Sequence, residues 1–382
     1  MNPVIIFGGN HHNTLSTARV FGINGIKPVG IIVSHDGRNL YSSKSKYWDR
    51  CIIVDSPEVG VSVLYELYKD YDDKPVIIPT ADPAETILDL NLDKLNGNYY
   101  VPSINNQSGK IAYLMDKYNQ SLWANSLGIK TAKSSIILLD DANTLDLEGI
   151  PFPCILKPVA SSEGEKPDIT KCEDYKELLF AIDKLKQKGY SRILVQEFLN
   201  KDYEMELFGC IPIHSKVIPY ILTQHLREWP TIGGTVSCHK FITSDAIRRE
   251  AVKILTKIQG YGFHGLIDIE LFMINGEIIL NEVNFRNSGD VYACFHNHLY
   301  YPYYWYLDAI GEGIDSCNTT YSDEYYAMNE ATDIRHVFYG NLKLHKWLSD
   351  LKQSKDYSLW FKGDLKPTFA RYCQLARRLF KH

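Results

Sequence analysis

The sequence predicts a mixed architecture, with an α/β domain over about residues 1–105 followed by an α+β domain over about residues 106–315. The first prediction rests on short β-branched apolar runs that recur with helix-compatible segments between some of them. The second rests on longer strand-like runs that alternate with amphipathic segments. The remaining residues, 316–382, form an extension that is aromatic and irregular before a terminal amphipathic segment.

Composition limits the class of protein before any motif is considered. The 382 residues are 45% hydrophobic and 23% charged, which is typical of folded globular domains. A net charge of −5 provides no global positive field for nucleic acid. The eight cysteines are scattered without CxxC spacing and indicate reduced thiols. The N-terminal residues lack the pattern of a signal peptide, so we expect a cytoplasmic protein.

The first domain is predicted from four apolar runs. These runs cover residues 3–8, 28–33, 51–55 and 75–79. Gly8 and Gly9 follow the first run and precede a helix-compatible segment from Thr14 to Phe21, which indicates a strand, a tight turn and a helix. His11 and His12 lie in that turn, and two adjacent histidines without a third ligand favour a solvated or substrate-facing position over metal binding.

The second domain is predicted to begin after a polar stretch, 103–110, which leads into a helical segment through Trp123 that Gly128 ends. The strands expected beyond it cover residues 154–157, 193–197, 205–210, 266–273 and 277–283. The aromatic stretch from Tyr300 to Tyr306 has helical or core spacing and is interpreted as packing.

The most informative segment runs from Gly265 to Arg286 and predicts two strands joined by a tight turn at Asn275 and Gly276. Glu270 lies on the first strand, and Glu282 and Asn284 share a face of the second. Two carboxylates that converge require either a proton or a cation between them. Mg²⁺ prefers oxygen ligands and is commonly shared with substrate phosphates, so these three residues are candidate metal ligands. Asp268 replaces Glu270 if the strand register shifts by two.

Basic and loop residues elsewhere suit a nucleotide beside this metal. Arg286 lies on the same predicted face as the acids and could neutralise a phosphoryl group in transfer. Lys157 closes an apolar run before Pro158, and the small polar residues 159–166 after it have the composition of a loop that covers phosphates. Glu197 ends a buried strand with Glu204 shortly after it, an arrangement compatible with adenine and ribose binding.

Taken in this order, the segments resemble the ATP-grasp superfamily over roughly residues 1–310. The matched positions are Asp116 and Lys117, Lys157, the loop residues Ser161, Ser162, Glu163 and Gly164, the hinge residues Gln196, Glu197, Phe198 and Leu199, and the E-x-N-x-R pattern at Glu282, Asn284 and Arg286. The resemblance implies a Rossmann-like domain before an ATP-grasp fold, whose two α+β subdomains clasp ATP with a lid at about residues 130–200. It also implies that Lys117 and Lys157 contact phosphates, that Glu197 and Glu204 hold adenine and ribose, and that two Mg²⁺ ions, or Mn²⁺, bridge the acids.

Within that superfamily the chain is most similar to the stand-alone carboxylate-amine ligases that include D-aspartate ligase. The segment from Arg227 to Thr235 carries this likeness, whereas Phe285 replaces a proline that is common in the family. The resemblance implies activation of a carboxylate as an acyl phosphate, condensation with an amine, and release of ADP and phosphate. Arg286 and Arg227 are expected to hold the intermediate, and Arg227, His239 and Asn287 are candidates for acceptor contacts.

Three other functions compete with this one. One is carboxylation, in which bicarbonate is the activated acid, as in carboxylating relatives of the same fold. An oxidoreductase built on the first domain lacks the third glycine of a dinucleotide fingerprint. The lysines and acids described above argue against a non-catalytic ATP-binding protein. The expected partners are small-molecule acids and amines, and a homodimer is compatible with the sequence.

The C-terminal residues 368–382 combine apolar positions at helical spacing with a basic face. Phe369, Tyr372, Ala376, Leu379 and Phe380 form the apolar set, and the basic residues include Arg371 and Arg377. We expect this helix to pack its apolar face on the body of the protein, with peripheral contact to an anionic membrane as the alternative.

Overall fold

The structure is a computed structural model that describes residues 2–35, 37, 40–68, 72–139, 147, 149–159, 168–231 and 234–379. Two compact units divide the chain. Unit 1 comprises residues 1–111, 206–268 and 284–382, and unit 2 comprises residues 112–205 and 269–283. The predicted division at about residues 105 and 315 uses other boundaries and stays a prediction.

Unit 1 begins with a parallel four-stranded sheet in the order β3-β2-β1-β4. Its elements are β1 (Val4–Gly9), α1 (His12–Ile23), β2 (Val29–Val33), β3 (Arg50–Val54), α2 (Pro57–Leu67), β4 (Val76–Pro79), α3 (Asp82–Leu90) and α4 (Leu92–Leu95). The register places Ile5 beside Val29 and Ile77, and most residues of β1, β2 and β4 are buried, as expected of a parallel sheet covered on both faces. The α/β prediction for this segment is confirmed.

The surroundings of Gly8 explain why a glycine stands at this position near the end of β1. A Cβ atom built at Gly8 would lie 1.9 Å from the Thr80 hydroxyl oxygen, so only glycine allows the ends of β1 and β4 to approach this closely. His11 caps α1 by accepting a hydrogen bond from the Asn13 amide. The turn therefore joins strand to helix without a dinucleotide fingerprint.

A second, eight-stranded sheet has the order β14-β13-β10-β11-β12-β15-β16, and β5 also pairs with β13. Its strands are β5 (Ser103–Ile104), β10 (Tyr203–Ile211), β11 (Tyr220–Trp229), β12 (Thr235–Phe241), β13 (Phe263–Ile274), β14 (Glu277–Asn284), β15 (Tyr326–Met328) and β16 (Ser354–Tyr357). The unit boundaries fall within β10, β13 and β14. The strands predicted at 205–210, 266–273 and 277–283 are confirmed, each with slightly wider bounds.

The helices of this part of unit 1 are α8 (Asp245–Tyr261), α9 (Tyr301–Ala309), α10 (Glu330–Asp333), α11 (Arg335–Phe338), α12 (Leu344–Gln353) and α13 (Leu365–Leu379). The aromatic residues of α9 pack in the core as predicted, since Tyr301 and Trp305 are fully buried. The sequence did not predict β15 and β16, because strands of three and four residues carry too short a pattern. None of the helices in the described ranges is long and apolar enough to cross a membrane.

The predicted apolar set of the C-terminal helix is only partly in contact with the rest of unit 1. Phe369 is 59% exposed, whereas the Tyr372 hydroxyl donates a hydrogen bond to the buried Glu330 carboxylate at 3.3 Å. Thr368 donates a hydrogen bond to the Leu359 carbonyl at 2.6 Å, and the Arg371 guanidinium lies 5.0 Å from the centre of the Tyr41 ring. These contacts set the rotation of the helix. Phe380 and the residues after it lie outside the described range.

Unit 2 holds an antiparallel four-stranded sheet in the order β6-β9-β7-β8, with α7 packed on one face. Its elements are α5 (Lys110–Leu114), which begins in unit 1, α6 (Lys117–Ser126), β6 (Ser134–Leu138), β7 (Cys154–Pro158), β8 (Thr170–Cys172), α7 (Tyr175–Gln187) and β9 (Arg192–Glu197). The predicted strands at 154–157 and 193–197 are confirmed. The single helix predicted through Trp123 is two helices, because Asp116 interrupts the segment and caps α6.

Candidate active site

The hairpin formed by β13 and β14 brings acidic side chains to unit 2. Asn275 and Gly276 both have positive φ, 49° and 81°, as a tight two-residue hairpin turn requires. Glu270 and Glu282 are each partly buried. The Asn281 side-chain amide donates a hydrogen bond to Glu270 Oε2 at 2.9 Å, which orients that carboxylate.

Lys117 faces the hairpin from the start of α6. Asp116 caps the helix by accepting hydrogen bonds from the amides of Tyr118 and Asn119, at 2.9 and 3.0 Å. This cap fixes Lys117 as the first helical residue. Its ammonium group lies 2.7 Å from Glu282 Oε2, and both side chains are largely withdrawn from solvent at 17% and 15% exposure. The first helical turn thus presents a cation to the acid of the second hairpin strand.

Gln120 holds the same strand to α6 and was not found from the sequence. Its side-chain carbonyl accepts a hydrogen bond from the Val283 amide, and its side-chain amide donates to the Val283 carbonyl, both at 2.7 Å. The same amide donates to the Leu114 carbonyl at 3.0 Å. Gln120 therefore binds both backbone polar groups of Val283, the residue between Glu282 and Asn284. An internal glutamine carries no sequence signal for such a contact.

Lys157 is the second cation and lies near the end of β7. It is 9% exposed and donates a hydrogen bond to the Gln196 side-chain oxygen at 3.0 Å. Its pKa is lowered to about 8, first by burial and then by the Lys117 ammonium group, against the opposing effects of Glu282 and Glu270. The two lysines and the two acids therefore influence one another electrostatically within unit 2.

The predicted adenine hinge lies at the end of β9. The amide of Glu197 donates to the Lys133 carbonyl at 2.9 Å, and the amide of Phe198 donates to the Pro153 carbonyl at 3.0 Å. The Lys171 ammonium group lies 4.2 Å from the centre of the Phe198 ring. Leu199 is partly exposed, and Glu204 forms an ion pair with Lys201. The amides of Glu197 and Phe198 are therefore both hydrogen-bonded to protein carbonyl groups.

The other predicted site residues fall into three groups. Ser161, Ser162 and Gly164 lie outside the described residues. Asn284 is the last residue of β14, belongs to unit 1 and is 5% exposed. His239 and Asn287 are fully buried in unit 1, where His239 is hydrogen-bonded to Thr223 and Tyr292 and Asn287 donates to Thr17.

Arg286 lies in unit 1 between two acids. It donates from Nε to Asp82 at 2.9 Å and from Nη1 to Asp268 at 2.5 Å. The pKa of Asp268 is raised well above its usual value by burial and by Glu206, although Arg286 opposes this effect. Asp268, the alternative metal ligand, therefore has Arg286 as its charge partner.

Arg227 is engaged by buried acids. It donates from Nε and Nη2 to Asp333, at 3.0 and 2.9 Å, and from Nη1 to Asp350 at 2.7 Å. All three guanidinium nitrogens are used, and both carboxylates are almost inaccessible to solvent. This arrangement is typical of a structural ion cluster, and it leaves the predicted intermediate-binding function without support.

A comparison with protein families identifies the segment that carries these residues. The family model described as the ATP-grasp domain matches residues 122–293. Residues 122–293 form an ATP-grasp domain. The match includes Lys157, the predicted hinge and the β13–β14 hairpin, and it begins shortly after Lys117. The recognition made from the sequence is therefore confirmed.

Curated relatives share moderate identity with this chain. The formate-dependent phosphoribosylglycinamide formyltransferase of Methanocaldococcus jannaschii is 26% identical over 287 residues, which are 65% of this chain and 67% of that protein. The D-alanine–D-alanine ligase of Helicobacter pylori is 28% identical over 180 residues, which are 44% of this chain and 50% of the ligase. The chain thus matches about two thirds of the length of the first relative and half that of the second.

Solved structures agree with the ATP-grasp fold. An ADP complex of N5-carboxyaminoimidazole ribonucleotide synthetase superposes with a TM-score of 0.68 at 12% identity and covers 89% of this chain and 86% of its own. An L-amino acid ligase from Bacillus licheniformis gives a TM-score of 0.61 at 14% identity, with 81% of this chain and 74% of the ligase covered. At these identities the likeness establishes the fold.

Proposed function

We propose that this ATP-grasp protein is an ATP-dependent ligase that activates a carboxylate as an acyl phosphate and joins it to an amine, releasing ADP and phosphate. The observation that carries the proposal is the 2.7 Å contact between Lys117 and Glu282, with Lys157 and Glu270 in the same electrostatic environment. The curated relatives include a D-alanine–D-alanine ligase and a formate-dependent phosphoribosylglycinamide formyltransferase.

The charges of this group suit a polyphosphate. Lys157 is buried, and the neighbouring Lys117 ammonium group lowers its pKa, so an anion between the two lysines would relieve their repulsion. The lysines would hold the β- and γ-phosphates of ATP and spread the charge of the group in transfer. Neither lysine needs to act as an acid or a base.

The acids of the hairpin suit a divalent cation. Glu270 and Glu282 offer hard carboxylate oxygen atoms on adjacent strands, the donor type that Mg²⁺ prefers. They would hold the ion, which when bound supplies positive charge at the phosphates. Asn281 and Lys117 orient the two carboxylates from the side. Ligation by Asn284, the number of ions and the use of Mn²⁺ stay predictions from the sequence, as does the function of Arg286 with the acyl phosphate.

The proposal assigns the adenine and ribose to the hinge from Gln196 to Leu199, with Glu197 and Glu204 as the acids. Gln196 supports this assignment because its side chain also holds Lys157, which couples the hinge to the phosphate-binding residues. Since the Glu197 and Phe198 amides donate to protein carbonyls, the hinge would offer adenine the carbonyl side of the strand or the Leu199 amide. We assign no role to Arg227.

The decisive experiment measures ADP release by purified protein over a panel of amino acids and other carboxylic acids, each with candidate amines. Removing a charge-stabilising group costs about a hundredfold or more in rate, so Glu282→Gln should reduce ADP release by at least that factor. Glu277→Gln is the matched control, because Glu277 lies on the same strand but forms an exposed ion pair with Lys130. Glu282→Gln turnover equal to that of the control would contradict the proposal.

The same assay separates the alternatives. Bicarbonate activation, which the carboxyaminoimidazole synthetase neighbours bring into consideration, predicts ADP release that depends on bicarbonate and needs no other acid. A non-catalytic ATP-binding protein would be stabilised by Mg²⁺ and ATP in a melting experiment yet would release no ADP with any substrate pair. An oxidoreductase would be stabilised by NAD instead.

A further inference from the structure

The C-terminal segment, residues 335–382, carries a charge opposite to that of the rest of the protein. It contains eleven Lys and Arg residues, three Asp residues and no Glu, for a net charge of +8, whereas the whole chain has a net charge of −5. The rest of the chain is therefore strongly acidic. Such segregation creates a local positive field that the overall charge hides.

The three aspartates of the segment are turned inward. Asp350 is 1% exposed and binds Arg227. Asp364 is 4% exposed and binds the fully buried Arg19 through Nε at 3.2 Å. Asp356 is 5% exposed and accepts hydrogen bonds from the Tyr325 hydroxyl and the His296 amide.

The basic residues lie outside. Those exposed in the described part of the segment are Lys343, Lys346, Lys352, Lys355, Lys362, Lys366 and Arg377. Since the acids are buried, the charge that this segment presents to solvent is exclusively positive among its described residues.

Large apolar side chains are exposed in the same segment. Leu344 and Leu348 lie one turn apart on the same face of α12 and are 53% and 50% exposed. Phe369 on α13 is 59% exposed, and Trp360 in the preceding loop is 48% exposed. These side chains stay exposed within unit 1, although burial of apolar area is favourable.

We infer that the C-terminal basic surface, defined as the exposed cations above together with Leu344, Leu348, Trp360 and Phe369, binds the surface of an anionic lipid bilayer. The cations would contact the phosphate headgroups, and the leucine, tryptophan and phenylalanine side chains would enter the boundary between headgroups and acyl chains. A symmetric dimer that pairs two such surfaces fits poorly, because both carry the same charge. A nucleic acid would satisfy the cations but would provide no apolar environment for the two leucines.

The test is co-sedimentation of the full chain with vesicles of phosphatidylcholine alone and of phosphatidylcholine mixed with phosphatidylglycerol. We expect binding to the mixed vesicles only, and weaker binding at high salt. Lys352→Glu with Lys355→Glu should reduce the partition coefficient by at least about 25-fold, since each positive charge near an anionic surface contributes about fivefold. Leu344→Ser with Leu348→Ser, and separately Phe369→Ser, should reduce it by roughly tenfold or more.

The controls use exposed residues of the same kinds in unit 2. Phe180 is 75% exposed on α7, and Lys176 is exposed on the same helix. Phe180→Ser with Lys176→Glu should leave vesicle binding within about twofold of the unchanged protein, because exposed positions outside the surface contribute little. All substituted residues are exposed, so the melting temperature and the ADP release measured without vesicles should not change.

Three results would overturn the inference. One is the absence of binding to phosphatidylglycerol vesicles at low salt. Another is binding that the C-terminal substitutions and the α7 substitutions weaken equally. The third is dimerisation, detected by sedimentation velocity, or binding of a labelled oligonucleotide, detected by gel shift, that the C-terminal substitutions abolish while vesicle binding stays unchanged.

Discussion

Replacing Gln120 should loosen the strand that carries Glu282. The side chain of Gln120 is 4% exposed, and it satisfies both the amide and the carbonyl of Val283, which is itself 1% exposed. Gln120→Leu keeps a similar volume but removes both hydrogen bonds. The Val283 peptide then has no side-chain partner on that side of β14.

The magnitude follows from two buried backbone groups. Leaving a buried donor or acceptor unsatisfied costs about 1–3 kcal/mol, so the pair should cost about 2–6 kcal/mol of local stability. Asn119→Leu removes only an exposed hydrogen bond to Tyr113 and should stay within about 0.5 kcal/mol of the unchanged protein.

Hydrogen exchange resolved to peptides measures this directly. The peptide that contains residues 277–284 should lose protection in Gln120→Leu by a factor that corresponds to the lost local stability. ADP release should fall as well, because Glu282 is no longer held at Lys117. If exchange in that peptide matched that of the Asn119→Leu control, Gln120 would not position the strand, and the reasoning would fail.

Three further predictions concern charge. Between pH 8 and 10, binding of Mg²⁺ and ATP should be accompanied by proton uptake, because Lys157, whose pKa is about 8, must be protonated to hold phosphate. Calorimetry in buffers of different ionisation enthalpy measures this uptake, and Lys157→Met should abolish it. Arg227→Met should lower the free energy of unfolding by about 3–5 kcal/mol, since it leaves two buried carboxylates without their guanidinium, while kcat of the folded fraction stays near that of the unchanged protein. Burial opposes protonation of His225, but hydrogen bonds to Glu206 and Glu228 raise its pKa to about 10. The stabilising effect of protonated His225 should therefore be complete below pH 6.5 and lost as the pH rises to 10. In denaturant titrations, the free energy of unfolding of His225→Gln should vary less with pH over this range.

Local patterns in the sequence were sufficient for the hairpin, whereas the start of α6 was expected only from the family resemblance at Asp116 and Lys117. The turn at Asn275 and Gly276 needs positive φ at both positions, and these two residue types tolerate it best. Asp116 caps its own helix, so the position of Lys117 follows from four consecutive residues. The acids and the first lysine could therefore be placed before any tertiary contact was known.

Contacts between segments that are distant in sequence could not be predicted from local patterns. Gln120 binds a strand more than 160 residues away, and Arg227 binds two aspartates more than 100 residues away. A glutamine in a helix and an arginine in a strand look like ordinary surface residues. The contacts of α13 were incompletely predicted for a related reason, because Thr368, Arg371 and the Tyr372 hydroxyl contact residues in other segments of the chain.

The position of β14 at the end of the second sheet has a consequence for solubility. A terminal strand offers unpaired peptide groups on which another polypeptide can build intermolecular sheet. Here the Leu280 amide donates to the Lys130 carbonyl at 2.8 Å, and the Val283 peptide is occupied by Gln120. The strand that bears Glu282 is thus closed to strand addition at two points, so the protein can keep its acids at a sheet margin without offering a template for aggregation.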